Sequence, residues 1–228
     1  MPKIMRLYSH PVQPNAIRVL MFLDEKGLEV PIVNVDMLEN EHRSPEYLKK
    51  NPRGQVPTLE LDDGTCITES IVICRYLDEI SGEPHLFGDR ESDRAVISMW
   101  ERVLELGLFI PVIEYGHHTL TEMKDYFDQY PDWAESLRGG IEATMDRLTR
   151  QLEKNPYIAG EKYTVADITG FLGAKYAEMI VGLDLPATGP VADWIDKVAP
   201  RDSASSFHTS LDLMPDFMEK FTKKDWRK

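Results

Sequence analysis

The spacing of apolar residues changes character part-way along this chain. Up to about residue 80, short apolar runs alternate with helical stripes; beyond about residue 90 the spacing is helical throughout. Residues 3–8 read as a strand. Ser9-His10-Pro11-Val12-Gln13-Pro14 reads as a turn, because each proline biases the residue before it away from helix. Asn15 is a candidate helix start, followed by Ile17, Val19, Leu20, Met21, Phe22 and Leu23, with Lys26 and Gly27 at the helix end. Val30 to Val35 is a near-continuous apolar run, which predicts a second strand buried on both faces. Strand, helix, strand makes a βαβ unit with a right-handed crossover. Residues 36–50 are polar and irregular, with a short helix expected from Pro45 to Lys50. Strands at about 56–61 and 65–68 flank Asp62-Asp63-Gly64, a hairpin signal. Ile73, Tyr76, Leu77 and Ile80 then recur at helical spacing after Ser70.

The order βαβ then ββα is that of a thioredoxin-like domain, expected over residues 1–80. Ser81 to about residue 89 carries Gly and Pro punctuation and reads as a linker. Residues 90–228 read as an all-α domain, a helical bundle. A long helix is expected from Glu91 to Gly116, kinked at Pro111. Tyr130-Pro131-Asp132 breaks the next stretch, and Ile141, Met145, Leu148 and Leu152 form an apolar stripe. Thr164-Val165-Ala166-Asp167 resembles a capping box, with Tyr163 and Ile168 placed as a hydrophobic staple, so Asp167 is read as structural. Residues 188–199 make a short helix around Trp194, and the tail from Pro200 is polar and then weakly amphipathic.

Composition narrows the function classes. At 228 residues the chain suits one large or two small domains, and its 42% hydrophobic and 29% charged content is ordinary for a soluble globular protein. A net charge of −13 leaves no basic face to dominate, which argues against nucleic acid. No apolar run approaches the length of a membrane span, and residues 1–8 lack the apolar centre of a signal peptide. Cys66 and Cys74 sit in apolar strand and helix patterns, so core thiols in a reducing cytoplasm are expected rather than a disulfide. His117-His118 does not suggest metal, because adjacent helical residues do not share a face; no metal site is expected.

The stretch richest in chemistry is Asn51-Pro52-Arg53-Gly54-Gln55-Val56-Pro57, followed by Glu69-Ser70. Pro57 at a strand start marks an edge or a special turn. A cis bond there would leave the Val56 N–H and C=O unpaired, ready to pair with an extended peptide. Backbone N–H groups at the Ser70 helix start, with the Ser70 hydroxyl, suit a carboxylate, and Glu69 suits an ammonium. A ligand with an extended backbone, a free carboxylate and a free amine fits this set, as does the γ-glutamyl end of glutathione.

These residues resemble the glutathione site of the cytosolic glutathione transferases, and the resemblance extends, more loosely, over the whole chain. It implies glutathione as co-substrate, a hydrophobic electrophile, and a homodimer. Gln55 and Val56 match the pair that holds the cysteinyl part, Glu69 and Ser70 the γ-glutamyl pair, and His42 the histidine near the glycyl carboxylate, with Arg43 beside it. The thiol must be held as thiolate, and the loop between the first strand and first helix is the place for it. Gln13 stands where theta-, phi- and zeta-like classes carry a catalytic serine. Pro14-Asn15 resembles instead the bacterial Nu-class and yeast-prion-type enzymes, and Leu7-Tyr8-Ser9, Asn15 and the 51–57 run also match bacterial lignin β-aryl-etherases. Asn15 is therefore the expected thiolate donor; an N-cap role is the other reading, and both can hold. Ser9 and Gln13 are the further catalytic candidates. The electrophile is expected against Phe109, Val112, Ile113 and Tyr115 of the long helix. Conjugation, β-aryl ether cleavage, disulfide or peroxide reduction, and a non-catalytic binding role all remain open on these residues.

Overall fold

The computed structural model describes residues 3–226. Four strands make one mixed sheet in the order β2-β1-β3-β4, with β1 at Ile4–Ser9, β2 at Ile32–Asn34, β3 at Thr58–Leu61 and β4 at Cys66–Ile67. β1 runs parallel to β2 and antiparallel to β3, in the register Leu7–Ile32 and Leu7–Leu59. This is the expected thioredoxin-like arrangement, with α1 (Pro14–Lys26) as the crossover between the parallel strands, a short α2 (Pro45–Leu48) and α3 (Ser70–Ser81). Gly27, in the left-handed region at φ 62°, ends α1 as the Lys26-Gly27 pattern predicts.

The second strand departs from expectation. β2 spans three residues and lies at the sheet edge, with Ile32 half exposed. A continuous apolar run predicts a doubly covered strand only when the strand is internal; here Val35, just past β2, is the member of the run that is wholly buried.

The chain divides into two compact units: residues 3–84 with 202–224, and residues 85–201 with Asp225 and Trp226. The first break falls inside the Gly/Pro-marked linker. The tail does not follow the expected all-α assignment. Helix α9 (Ser205–Lys223) belongs to the first unit, where it packs against α1. Phe207 and Phe221 are its buried apolar anchors, Ser206 Oγ donates to Asp24 at 2.9 Å, and Phe217 meets the His10 ring at 5.1 Å.

The second unit is helical: α4 (Glu91–Leu104), α5 (Ile110–Thr119), α6 (Pro131–Leu152), α7 (Val165–Tyr176) and α8 (Pro190–Val198). The expected long helix is interrupted at a π-helical turn over Glu105–Phe109, one turn before Pro111. Proline lacks the N–H for residue 107 and crowds its carbonyl, and a wider turn absorbs both defects. Gly107 sits in that turn, where a Cβ would fall 2.6 Å from Thr144 Oγ1 of α6. α7 is buried along nearly its whole length and forms the centre of this unit. Its start is built as the sequence pattern indicates. Asp167 Oδ2 accepts from the Thr164 N–H at 2.9 Å, and Oδ1 accepts from the Ile158 N–H at 3.0 Å and Trp194 Nε1 at 2.9 Å.

Candidate active site

The site residues of the first unit gather at the ends of β1, β3 and α1, and at the start of α3. α1 begins at Pro14, whose missing N–H costs nothing at a helix start. Gln13, not Asn15, is the N-cap, and its carbonyl accepts from the Ala16 and Ile17 N–H groups. Asn15 thus stands in the first turn, where its own N–H has no intrahelical acceptor.

The Asn15 side chain is fixed. Its Oδ1 accepts from Arg18 Nη2 at 3.1 Å and from Ser70 Oγ at 2.9 Å. Arg18 Nε and Nη2 also donate to Ser70 Oγ, at 3.1 and 2.6 Å. A guanidinium can only donate, so the atom facing it must be oxygen and the amide has one orientation. Asn15 Nδ2 then points away from Arg18 and donates to no acceptor among the described residues. The Ser70 hydroxyl, expected to be free for a carboxylate, is instead spent on Asn15 and Arg18. What remains open at the α3 start is backbone: the Ser70 and Ile71 N–H groups have no acceptor among the described residues.

Glu69 caps α3 with φ 64° and ψ 110°, a conformation that a non-glycine residue rarely adopts. Its carbonyl accepts the first helical bonds from Val72 and Ile73, and its exposed carboxylate pairs with Arg53 at 2.9 Å. Arg53, Gly54 and Gln55 form the turn before Val56. Asn51, buried, donates through Nδ2 to the Gln55 carbonyl at 2.7 Å and accepts the Arg53 N–H at 3.1 Å. The Tyr47 hydroxyl donates to the same Gln55 carbonyl at 2.7 Å. Burial drives the Tyr47 phenol up to about 12, so it stays a donor at any working pH. This clamp leaves the Gln55 side chain exposed. The Val56–Pro57 bond is cis. The Val56 N–H and C=O pair with nothing among the described residues.

His42 is buried rather than a solvated loop residue. Gly54, at φ 60°, packs so closely that a Cβ there would lie 3.0 Å from the His42 carbonyl. Burial first, then the nearby Arg43 and His10 charges, hold the His42 imidazole below its usual value, and Arg43 Nε donates to its Nε2 at 3.3 Å. Arg43 itself is exposed. Ser9 ends β1 with its hydroxyl buried and unbonded, and the Gln13 side chain makes no hydrogen bond among the described residues.

The residues expected against the electrophile, Phe109, Val112, Ile113 and Tyr115, all lie in the helical unit. Phe109 and Val112 are fully buried in the helical unit, Phe109 against Tyr176, and the Tyr115 hydroxyl accepts from Arg138 Nη2 at 2.9 Å. Helical aromatics at core spacing serve the core here, and Ile113 is half-buried beside them. His117 stacks on Phe127 at 4.3 Å and His118 Nδ1 accepts the Tyr130 N–H, so both imidazoles are knit into loop packing. The sequence pattern does not single out Arg18 or Tyr47, and it marks Asn51 only as the first residue of the 51–57 run. Arg18 did leave a signal: it is the charged residue inside an otherwise apolar helix run, three positions after Asn15.

Residues 4–79 match the family described as the glutathione S-transferase N-terminal domain. Glutathione S-transferase 2 of Saccharomyces cerevisiae is 36% identical over 82% of this chain and 81% of its own. Among solved structures, a glutathione S-transferase domain-containing protein of Marinobacter aquaeolei is 38% identical with a TM-score of 0.79, covering 87% of this chain and 99% of its own. Gtt2 of Saccharomyces cerevisiae is 32% identical with a TM-score of 0.80, covering 88% and 99%. The chain belongs to the glutathione S-transferase superfamily and is an enzyme of that class, with glutathione as its co-substrate.

Proposed function

We propose that Asn15 is the group that stabilises the glutathione thiolate. The observation that carries this is the locked amide: its oxygen is held by Arg18 and Ser70, so its donor face is the one left open. Beside it lies the α1 start, whose unpaired N–H and dipole also favour an anion. In this reading the γ-glutamyl carboxylate takes the free Ser70 and Ile71 N–H groups, and Glu69 takes the ammonium. The cysteinyl backbone pairs with Val56 as an added strand, flanked by Gln55 and Pro57. The glycyl carboxylate lies toward Arg43, with buried His42 shaping that end. Ser9 and Gln13 are secondary to Asn15.

The thiolate attacks an electrophilic carbon of a hydrophobic partner. The finer reading is a Nu-class or etherase-like enzyme that cleaves an aromatic β-aryl ether. The sulfur–carbon bond forms as the carbon–oxygen bond breaks, and the electron pair leaves on the phenoxide, which takes up a proton. The Asn15 donor and the 51–57 run support it. We further propose that the protein works as a homodimer in the cytoplasm. Val72 and Ile80 on α3, and Val96 and Met99 on α4, are exposed apolar side chains that suit a subunit contact, and both cysteines are free thiols. Among the described residues no helix is long and apolar enough to cross a membrane.

The test is calorimetric titration with glutathione, followed by the ultraviolet absorbance of the bound thiolate against pH. Saturable binding with a thiol pKa well below its free value is expected, followed by phenol release from an aromatic β-ether. Turnover of disulfides or peroxides with no release from any β-ether would move the assignment to reduction.

A further inference from the structure

We infer that Arg18 is a positioning residue for the thiolate, acting through Asn15; the inference rests on Asn15 being the donor. Arg18 is 1% exposed, in a stretch of α1 where Ala16, Ile17 and Val19 are also fully buried. No water can readily replace what it donates there. Its fork meets two acceptors at once: Nε and Nη2 reach Ser70 Oγ, and Nη2 reaches Asn15 Oδ1. The hydrogen-bond count then closes. Ser70 Oγ accepts twice from Arg18, so its single proton goes to Asn15 Oδ1, 2.9 Å away. Asn15 Oδ1 thereby accepts from both partners. Turning the amide over would set its N–H₂ against a guanidinium that cannot accept and would leave buried donors unsatisfied. The amide nitrogen is held toward the sulfur position before any ligand arrives, and that preorganisation is what a thiolate donor needs.

Lysine offers one nitrogen rather than a fork, so it can at best reproduce the two Nη2 bonds and leaves the Nε bond to Ser70 unmade. Ser70 and Arg18 lie 52 residues apart in sequence, which explains why spacing alone does not reveal the pair.

The experiment uses the full chain and reads two quantities: the pKa of bound glutathione's thiol, and the affinity for S-methylglutathione, which has no thiol to ionise. In Arg18→Met the bound-thiol pKa should rise by about one unit, a roughly tenfold loss of thiolate at pH values below it. S-methylglutathione affinity should change by no more than about threefold. Arg18→Lys should restore part of the pKa. Asn15→Asp keeps an acceptor for Arg18 and Ser70 but removes the donor, and should raise the thiol pKa at least as far. An unchanged thiol pKa in Arg18→Met, with a raised one in Asn15→Asp, overturns the role of Arg18 and leaves the donor assignment standing. An unchanged pKa in Asn15→Asp removes the donor assignment itself, and with it the basis for Arg18. If Arg18→Met does not fold, Ser70→Ala takes its place: it deletes the bridging hydroxyl, a raised pKa is expected, and an unchanged one overturns the inference.

Discussion

Two helix starts in this protein are built around the same device and come to opposite ends. At α7, the Asp167 carboxylate collects the Thr164 and Ile158 N–H groups and the Trp194 indole, all inside the helical unit. At α1, the Asn15 amide oxygen collects Arg18 and the Ser70 hydroxyl. Asp167 is wholly buried and has only acceptors, so once its donors arrive nothing is left over. Asn15 is half-buried and carries a donor on its other side, so satisfying the oxygen leaves a group to spare. A saturated hub holds a fold together; a hub with one face unspent can bind.

The largest effect should come from removing the saturated hub. Asp167→Ala strands several buried donors and should cost about 3–5 kcal/mol of stability by urea unfolding. A loss below about 1 kcal/mol would erase the contrast with α1. Next in size is the pH dependence of that same carboxyl. Burial, outweighing its donors, raises it from 3.8 to about 6 in the folded protein. Between those values the native state holds more protons than the unfolded one. The contribution is therefore full below about pH 4 and is lost as pH rises through about 6, by up to roughly 3 kcal/mol. Asp167→Asn should remove that slope from a stability-against-pH series. Third, Asn15→Ala should raise the bound-thiol pKa by about one unit, the equivalent of 1.4 kcal/mol, while the Arg18 and Ser70 donors it strands should cost about 1–2 kcal/mol of stability, less than Asp167→Ala. A stability loss as large as that of Asp167→Ala would place Asn15 with the structural caps. The smallest effect belongs to Arg53, whose pair with Glu69 is exposed on both sides. Arg53→Ala should change stability by about 0–1 kcal/mol, and less at high salt.

The contrast also marks what the sequence makes legible. The Asp167 cap is visible as Thr-x-x-Asp because its main partner is three residues away. The element order βαβ then ββα, the short α2, and the open Val56 and Ser70 backbone groups are likewise local patterns joined by known turn and helix chemistry. What escaped depends on distant contacts. Arg18 reaches Ser70, 52 residues away, and His42 is sealed by Gly54 across a fold in the chain. Apolar periodicity also cannot say which neighbour covers a face. It leaves open that Phe109 and Val112 are wholly buried inside the helical unit, and it covered β2 on a side that is open. The π turn before Pro111 seats Gly107, where a Cβ would fall 2.6 Å from Thr144 Oγ1, a contact with α6 that helix propensity does not record.

The place of α9 bears on how the protein is made. Its helix and the turn before it belong to the unit that carries Asn15 and Ser70, yet they follow all of α4–α8 in the chain. A ribosome delivers α1 and α3 before α4–α8, and the helix that meets His10 after them. The thioredoxin-like layer must therefore wait, with its α1 flank bare, until more than a hundred intervening residues have emerged. Closure of the first unit over α1 is thereby tied to the emergence of residues that follow α4–α8.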